Sequence, residues 1–188
     1  MRLIVTGVPA TGKTAISKAL AKVMGAELVH ANDLAKKIGA AKKAKGEKGS
    51  ELTVDLRKLK KAIASLFVAN KSIVAEGHLL CEFSLKADAV LVLRCDPRVL
   101  LKRYAKRGYS KQKSADNAVA EALDYCQLRA EDSYGSSKIV QINATKRVAV
   151  KGLLGRLKSR KSDPVDWSGL LLKPPLLAVA TRSGGKDL

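Results

Sequence analysis

The chain has 188 residues, of which 46% are apolar and only 4% aromatic, so it suits one globular domain with an aliphatic core. It carries 36 Lys and Arg against 17 Asp and Glu, and this net charge of +19 should attract polyanions such as RNA, unless it serves solubility alone. The three cysteines, Cys81, Cys95 and Cys126, are odd in number and lack C-x-x-C spacing, which argues against a disulfide framework and a zinc site.

No apolar run approaches the roughly 20 residues that span a bilayer, and the chain begins with a strand pattern rather than a signal peptide. We therefore expect a soluble intracellular protein in a reducing compartment, without membrane contact.

The first residues of the chain form an apolar run that leads into a glycine-rich turn with the spacing G-x-x-x-x-G-K-T. The two glycines let backbone N–H groups surround phosphate oxygens, while the helix that follows directs the positive end of its dipole at the same anion. Lys13 should reach the β and γ phosphates, and the Thr14 hydroxyl is a hard oxygen ligand for Mg²⁺. The pattern predicts a P-loop for ATP and Mg²⁺, lined by Gly7, Pro9, Ala10, Thr11, Gly12, Lys13 and Thr14.

Apolar runs and helical patterns alternate along the rest of the chain. Strands are expected at 3–5, 27–29, 72–75, 89–93 and 139–142, and helices at 15–23, 34–38, 55–68, 97–107, 116–134 and 148–157. Asn32 and Asp33 are candidates to cap the second helix. Unbroken apolar strands linked by helices indicate an α/β fold with a five-stranded parallel sheet flanked by helices.

Two segments fall outside this pattern. Residues 36–50 are rich in lysine and glycine, which predicts a mobile basic loop. Residues 1–162 should form the domain, and residues 163–188, punctuated by prolines, should form a tail that docks on the body or on a partner and ends in disorder.

A P-loop needs an acidic group at a neighbouring strand end to hold Mg²⁺ directly or through water, and two acids are candidates. Asp96 precedes a proline and an amphipathic run, the pattern of a helix N-cap. Glu76 ends a strand and precedes Gly77 and His78, at the edge of the sheet where active sites of parallel sheets form. We therefore assign Glu76 to the metal or its water, and consider His78 both as an ordinary polar residue and as one that orients water or phosphate.

Arg103 and Arg107 are spaced so that both lie on one face of a helix. Phosphoryl transfer gathers negative charge on the moving group, which two arginines on a closing segment would neutralise. Residues 103–134 are therefore a candidate lid, with residues 108–110 as its hinge. A solvated basic helix face is the alternative.

The combined motifs resemble the atypical adenylate kinase isoenzyme six family, the ribosome-assembly type of archaea and eukaryotic nuclei. The resemblance spans residues 1–157 and rests on G-V-P-A-T-G-K-T, N-D-L-A, E-G-H, V-L-R-C-D and R-x-x-x-R-G-Y-S-x-x-K-x-x-D-N-x-x-A-E. It implies a P-loop kinase fold, phosphoryl transfer from ATP to AMP, slow ATPase activity and maturation of the small ribosomal subunit. It also implies contact with a ribosomal protein of the subunit platform and with ribosomal RNA, by a monomer in the cytoplasm or, in a eukaryote, the nucleus.

The resemblance assigns further residues and shows three departures, one of which is that it gives no counterpart for the basic loop over residues 36–48 or for the tail after residue 162. The family carries D-x-H where this chain has Glu76 and His78, so the acid is one methylene longer. Asp33 and Lys36 map to the monophosphate site, where lysine replaces the usual arginine and loses its bidentate fork. Arg107 and Lys146 join the expected ATP contacts.

Two alternatives remain at this point. The chain could be an ATP-switched RNA or ribosomal-protein binder whose kinase activity is incidental. It could also be another small P-loop kinase, for shikimate, cytidylate or a nucleic-acid end, although the loop at Glu76 lacks the glycine triplet and D-x-D pattern sought in shikimate kinases.

Overall fold

The computed structural model describes residues 1–43, 52–173 and 176. The strands are β1 (Arg2–Thr6), β2 (Glu27–His30), β3 (Ala41–Lys43), β4 (Leu52–Val54), β5 (Ile73–Glu76), β6 (Ala89–Arg94) and β7 (Ile139–Asn143). The helices are α1 (Lys13–Met24), α2 (Ala31–Lys37), α3 (Leu56–Ala69), α4 (Pro97–Lys106), α5 (Lys111–Ala122), α6 (Tyr125–Tyr134) and α7 (Leu153–Ser159). A short 3-10 helix, His78–Cys81, follows β5.

Five of these strands form a parallel sheet in the order β2-β5-β1-β6-β7, which confirms the predicted fold class. Both faces of the sheet are covered, so the strands are apolar on both sides. In β1, Ile4 packs in the cluster that includes α2, α3 and α6, whereas Leu3 and Val5 pack in the cluster that includes α1 and α7. The carboxyl ends of the strands therefore meet at one open edge, where the P-loop begins.

Side-chain caps account for three of the helix starts, and one of them is the Ser110 hydroxyl at the start of α5, which accepts from the Lys113 backbone N–H at 3.2 Å. The Asp55 carboxylate accepts hydrogen bonds from the backbone N–H groups of Arg57 and Lys58, at 3.1 and 3.0 Å, and starts α3. Asp96 accepts from the backbone N–H of Arg98 at 2.8 Å, with Pro97 in the first turn of α4, which confirms its interpretation as an N-cap.

The expected caps of α2 are wrong. The helix begins at Ala31, so Asn32 and Asp33 lie inside its first turn, and His30 is the N-cap residue without a side-chain cap bond. The second strand runs directly into this helix, which leaves no loop residue to serve as a cap.

Helix boundaries differ from prediction at two left-handed residues. The region expected as one helix over 116–134 is α5 and α6, separated at Asp124, whose φ is 57°. The closing helix begins at Leu153 rather than at residue 148, because Gly152 adopts a φ of 84° immediately before it.

The basic segment over residues 36–50 is not a loop at its described end. Lys36 and Lys37 close α2, and β3 pairs antiparallel with β4. Residues 44–51 lie outside the described residues, as do 174–175 and 177–188, which include the end of the tail expected to be disordered.

The start of the predicted tail packs on β7. The Asp163 carboxylate accepts from the Asn143 backbone N–H at 2.8 Å and pairs with Arg156 at 2.7 Å, and the Asp163 carbonyl accepts from the Gln141 side chain at 2.8 Å. Over the described ranges, the helices are too short or too polar to cross a membrane.

Candidate active site

The P-loop joins β1 to α1 in a conformation that requires glycine at its first position. Gly7 has a φ of 134°, and a Cβ there would lie 2.4 Å from the backbone oxygen of Leu93. Gly12 and Ala10 also adopt positive φ, at 101° and 64°. Positive-φ residues among ordinary ones let several backbone N–H groups face one point, which is the geometry of an anion-binding nest. α1 begins at this nest, and its first turn has no acidic side chain.

Lys13 lies over this nest. Its Nζ donates to the backbone oxygens of Gly7 and Val8, at 2.8 and 2.9 Å. Burial lowers the pKa of Lys13 below the ordinary value for a lysine. The ammonium is therefore held at the loop by carbonyl groups rather than by a carboxylate, a contact that phosphate oxygens can replace.

Glu76 meets the P-loop across the sheet, because β5 lies beside β1. The Thr14 hydroxyl donates to Glu76 Oε1 at 3.3 Å, and His30 Nδ1 lies 2.7 Å from the same oxygen. Glu76 is 9% exposed, whereas Thr14 is exposed at the start of α1. The structure thus places the two predicted metal ligands side by side and adds a histidine that the sequence did not single out.

The donor set fits Mg²⁺. A carboxylate and a hydroxyl are hard oxygen ligands, and Mg²⁺ is usually bound by one or two such groups together with substrate phosphates and water. Among the described residues, there is no cluster of three or more His, Cys, Asp or Glu that could form an all-protein metal cage. Thr14 and Glu76 would therefore hold the ion at the nucleotide, where it would neutralise phosphate charge.

His78 lies in the loop after β5, where its backbone oxygen accepts from the Thr6 hydroxyl at 3.3 Å. Burial and the nearby cations Lys13 and Lys113 lower its pKa to about 4. The imidazole is therefore neutral near neutral pH, and one ring nitrogen can accept a hydrogen bond.

Arg103 donates a hydrogen bond to the P-loop, whereas within the described residues Arg107 makes no hydrogen bond with it. The Arg103 guanidinium donates to the backbone oxygens of Ala10, Ala144 and Thr145, at 3.0, 3.2 and 2.9 Å. It thereby joins α4 to both the P-loop and the loop after β7. Arg107 is exposed at the C-terminal end of α4.

The remaining predicted site residues lie on the surface. Asp33 and Lys36 are exposed on α2, which follows the strand at the edge of the sheet next to Glu76. Within the described residues, neither makes a hydrogen bond or ion pair with the P-loop. Lys146 is exposed in the loop after β7, adjacent to the Thr145 carbonyl that Arg103 binds.

A buried ion pair, also missed by the sequence reasoning, lies at the end of β6. Arg94 Nε donates to Glu121 Oε1 at 2.8 Å, and both side chains are 1% exposed. Arg94 also pairs with Asp124, and Glu121 Oε1 accepts from the Cys95 backbone N–H at 2.9 Å. The pair fixes the junction of α5 and α6 to the sheet. The sequence feature that could have indicated this ion pair is a charged residue, Arg94, at the end of an otherwise apolar strand.

Two comparisons of the sequence show its relatives. A family model described as an AAA domain matches residues 3–124. A protein of Thermococcus kodakarensis named "Putative adenylate kinase" is 34% identical over 174 residues, which cover 89% of this chain and 93% of the relative. The chain belongs to the AAA domain family and to the family of this archaeal protein. A protein of Methanosarcina acetivorans with the same name is 35% identical over 181 residues, or 90% of this chain and 94% of that one.

Solved structures show the same fold. The shikimate kinase of Bacteroides thetaiotaomicron gives a TM-score of 0.56 at 17% identity, covering 85% of this chain and 97% of that chain. A gluconokinase of Sinorhizobium meliloti gives 0.55 at 21% identity, covering 85% and 92%. The chain therefore has the P-loop kinase fold.

Proposed function

We propose that the protein is an adenylate kinase that transfers the terminal phosphoryl group of ATP to AMP and also hydrolyses ATP slowly. The observation that carries this proposal is the convergence of Lys13, Thr14 and Glu76 at one edge of the sheet, in a chain whose archaeal relatives carry the name "Putative adenylate kinase". ATP phosphates would occupy the nest, and Lys13 would bind their β and γ oxygens. A bound Mg²⁺ would supply charge neutralisation at the same phosphates.

The positions of the other candidate site residues suggest how each would contact the substrates. Arg103 is tied to the P-loop and would steady the loop on the nucleotide, while Arg107 and Lys146 are exposed cations available to approach phosphate. AMP would bind beside α2, with Lys36 attracting its phosphate and Asp33 contributing polar contacts. Neutral His78 would orient the attacking AMP oxygen or water.

A coupled assay tests the kinase half. Wild-type protein should form ADP from ATP plus AMP, and Lys13→Ala should abolish this turnover. Lys18→Ala removes an exposed lysine from the same helix and should leave the rate unchanged. Absence of AMP-dependent turnover in the wild type would refute the kinase assignment.

The same assay distinguishes the residue proposed to bind AMP from the residues proposed to support ATP hydrolysis. Lys36→Ala should raise the KM for AMP several-fold while its neighbour variant Lys37→Ala does not. Glu76→Gln and His78→Ala should reduce ATP turnover with AMP and without it, if both reactions share this chemistry. Loss of ATPase activity alone would instead mean that the loop after β5 activates water and has no part in phosphoryl transfer to AMP.

A second activity, RNA binding during small-subunit assembly, is favoured by the charge of one face of the molecule. α1 and α7 pack in the same apolar cluster, and residues 13–26 and 144–162 contain no Asp or Glu. Apart from Lys146, the exposed cations of these segments are Lys18, Lys22, Arg147, Lys151, Lys158, Arg160 and Lys161. Such a face should bind phosphate backbones without base preference. A ribosomal protein of the small-subunit platform is the second proposed partner.

Salt dependence and charge removal test the RNA partner. Changing Lys22, Lys158 and Lys161 together to serine should weaken binding to ribosomal RNA and reduce the slope of log K against log salt by about 2 to 3. A triple serine variant at Lys58, Lys60 and Lys61 of α3 removes equal charge from the opposite face of the sheet. Equal losses in both variants would mean diffuse attraction to the whole protein, and salt-independent binding would refute the electrostatic proposal.

A further inference from the structure

His30 and Glu76 are neighbours across the sheet by strand register. They are the last residues of β2 and β5, and their Cα atoms are partners in the parallel pairing. His30 Nδ1 lies 2.7 Å from Glu76 Oε1. A carboxylate oxygen accepts hydrogen bonds, which selects the imidazole tautomer with its hydrogen on Nδ1 as the donor to Oε1.

We propose that His30 is a positioning residue that holds Oε1 of Glu76 and so presents Oε2 to Mg²⁺ or its bound water. Thr14 donates to Oε1 as well, at 3.3 Å. Within the described residues, the hydrogen bonds of the Glu76 carboxylate all fall on this one oxygen. Two donors on one oxygen set the plane of the carboxylate and leave its second oxygen for the metal site. The proposal rests on the kinase function proposed above.

A glutamate needs such a partner more than an aspartate does. Its side chain has one more rotatable bond, while Mg²⁺ demands near-octahedral geometry at about 2.0 to 2.1 Å. The side chains of His30 and Glu76 are 26% and 11% exposed, so water competes little for their hydrogen bond. Residues that orient a metal ligand in this way typically change metal affinity or activity by about 10- to 100-fold when they are replaced.

The backbone around His30 is itself held close to the loop after β5. A Cβ built on Gly77 would lie 2.7 Å from the Ala31 Cβ, so only glycine permits this approach of α2 to the loop. His30 is therefore fixed at the start of α2 against the segment that carries Glu76. This packing holds the backbone that carries the imidazole beside the backbone that carries Glu76.

The test uses two substitutions of nearly equal shape. His30→Asn keeps an N–H donor near the position of Nδ1, whereas His30→Leu removes the donor. Binding of a non-hydrolysable ATP analogue is measured by calorimetry with and without Mg²⁺, and kinase rates are measured over a range of Mg²⁺ concentrations. We expect His30→Leu to leave metal-free affinity within about twofold of wild type, to require about tenfold more Mg²⁺ and to lower kcat rather than raise KM for AMP. His30→Asn should recover most of both losses.

The shorter acid provides a second, independent test. Glu76→Asp withdraws the carboxylate from His30, so His30→Leu should add little to the defect of a Glu76→Asp protein. An unchanged Mg²⁺ requirement in His30→Leu, equal losses with Leu and Asn, or full additivity with Glu76→Asp would each overturn the proposal. The calorimetric comparison also separates the two hypotheses, since Mg²⁺-dependent ATP binding can be measured even in a wild type that fails to phosphorylate AMP.

Discussion

The buried pair of Arg94 and Glu121 provides the sharpest prediction for stability. Arg94→Met removes the cation but leaves a carboxylate whose side chain is 1% exposed. Removing one partner of a buried ion pair typically costs about 3 to 5 kcal/mol. A protein of this size loses about 2 to 4 °C of Tm per kcal/mol, so the Tm should fall by about 6 to 20 °C.

The pH dependence of this loss follows from the carboxylate left behind. Burial already raises the pKa of Glu121, and Arg94 opposes that rise. Without Arg94 the pKa should rise further, so the folded variant binds a proton that the unfolded chain releases. Stability of the variant is therefore retained below the ordinary carboxylate pKa and lost as pH rises through the raised value. The loss of Tm relative to wild type should therefore be smaller near pH 5 than near pH 8.

Thermal unfolding followed by circular dichroism at both pH values measures this effect. The double variant Arg94→Met with Glu121→Gln removes the charge while keeping an oxygen for the Cys95 N–H, and it should recover at least half of the lost Tm. A single variant that unfolds within 2 °C of wild type, or a deficit independent of pH, would refute the reasoning.

Three further predictions concern the site and its supports. Gly7→Ala should abolish ATP binding measured by calorimetry, because the added Cβ would lie 2.4 Å from the Leu93 backbone oxygen. In Gly12→Ala the added Cβ would have no atom within 4 Å, but the backbone φ is positive, so this variant should bind ATP with reduced affinity. Asp96→Ala should lower the free energy of unfolding, measured in urea, by about 1 kcal/mol because the helix cap is lost. It should leave the Mg²⁺ dependence of kinase activity unchanged, and a changed dependence would show that Asp96 acts at the metal site. Arg103→Lys should raise the KM for ATP, because a single lysine nitrogen cannot reproduce the fork in which Nη1 binds the Ala10 oxygen and Nη2 binds the oxygens after β7. Wild-type kinetics would exclude that anchoring role.

Local sequence was sufficient for the features that depend on neighbouring residues. The P-loop spacing, the apolar strands and the Asp96 cap with its proline are short-range patterns, and the structure contains each of them. Helix boundaries were less predictable. Asp124 divides one predicted helix in two, and Gly152 delays the start of another, each in a left-handed conformation. The conformation of Asp124 accompanies an ion pair with Arg94, a residue on a distant strand.

Short-range sequence patterns were enough to predict the phosphate-binding loop, the parallel sheet and the edge at which an acid should meet the loop. The partners of that acid follow from the arrangement of the strands in the folded domain. β5 lies between β1 and β2, so Glu76 meets Thr14 on one side and His30 on the other, although they are 62 and 46 residues away in the chain. Strand order is set by how crossover helices pack on the two faces of the sheet, and that packing is a property of the whole domain rather than of any one segment.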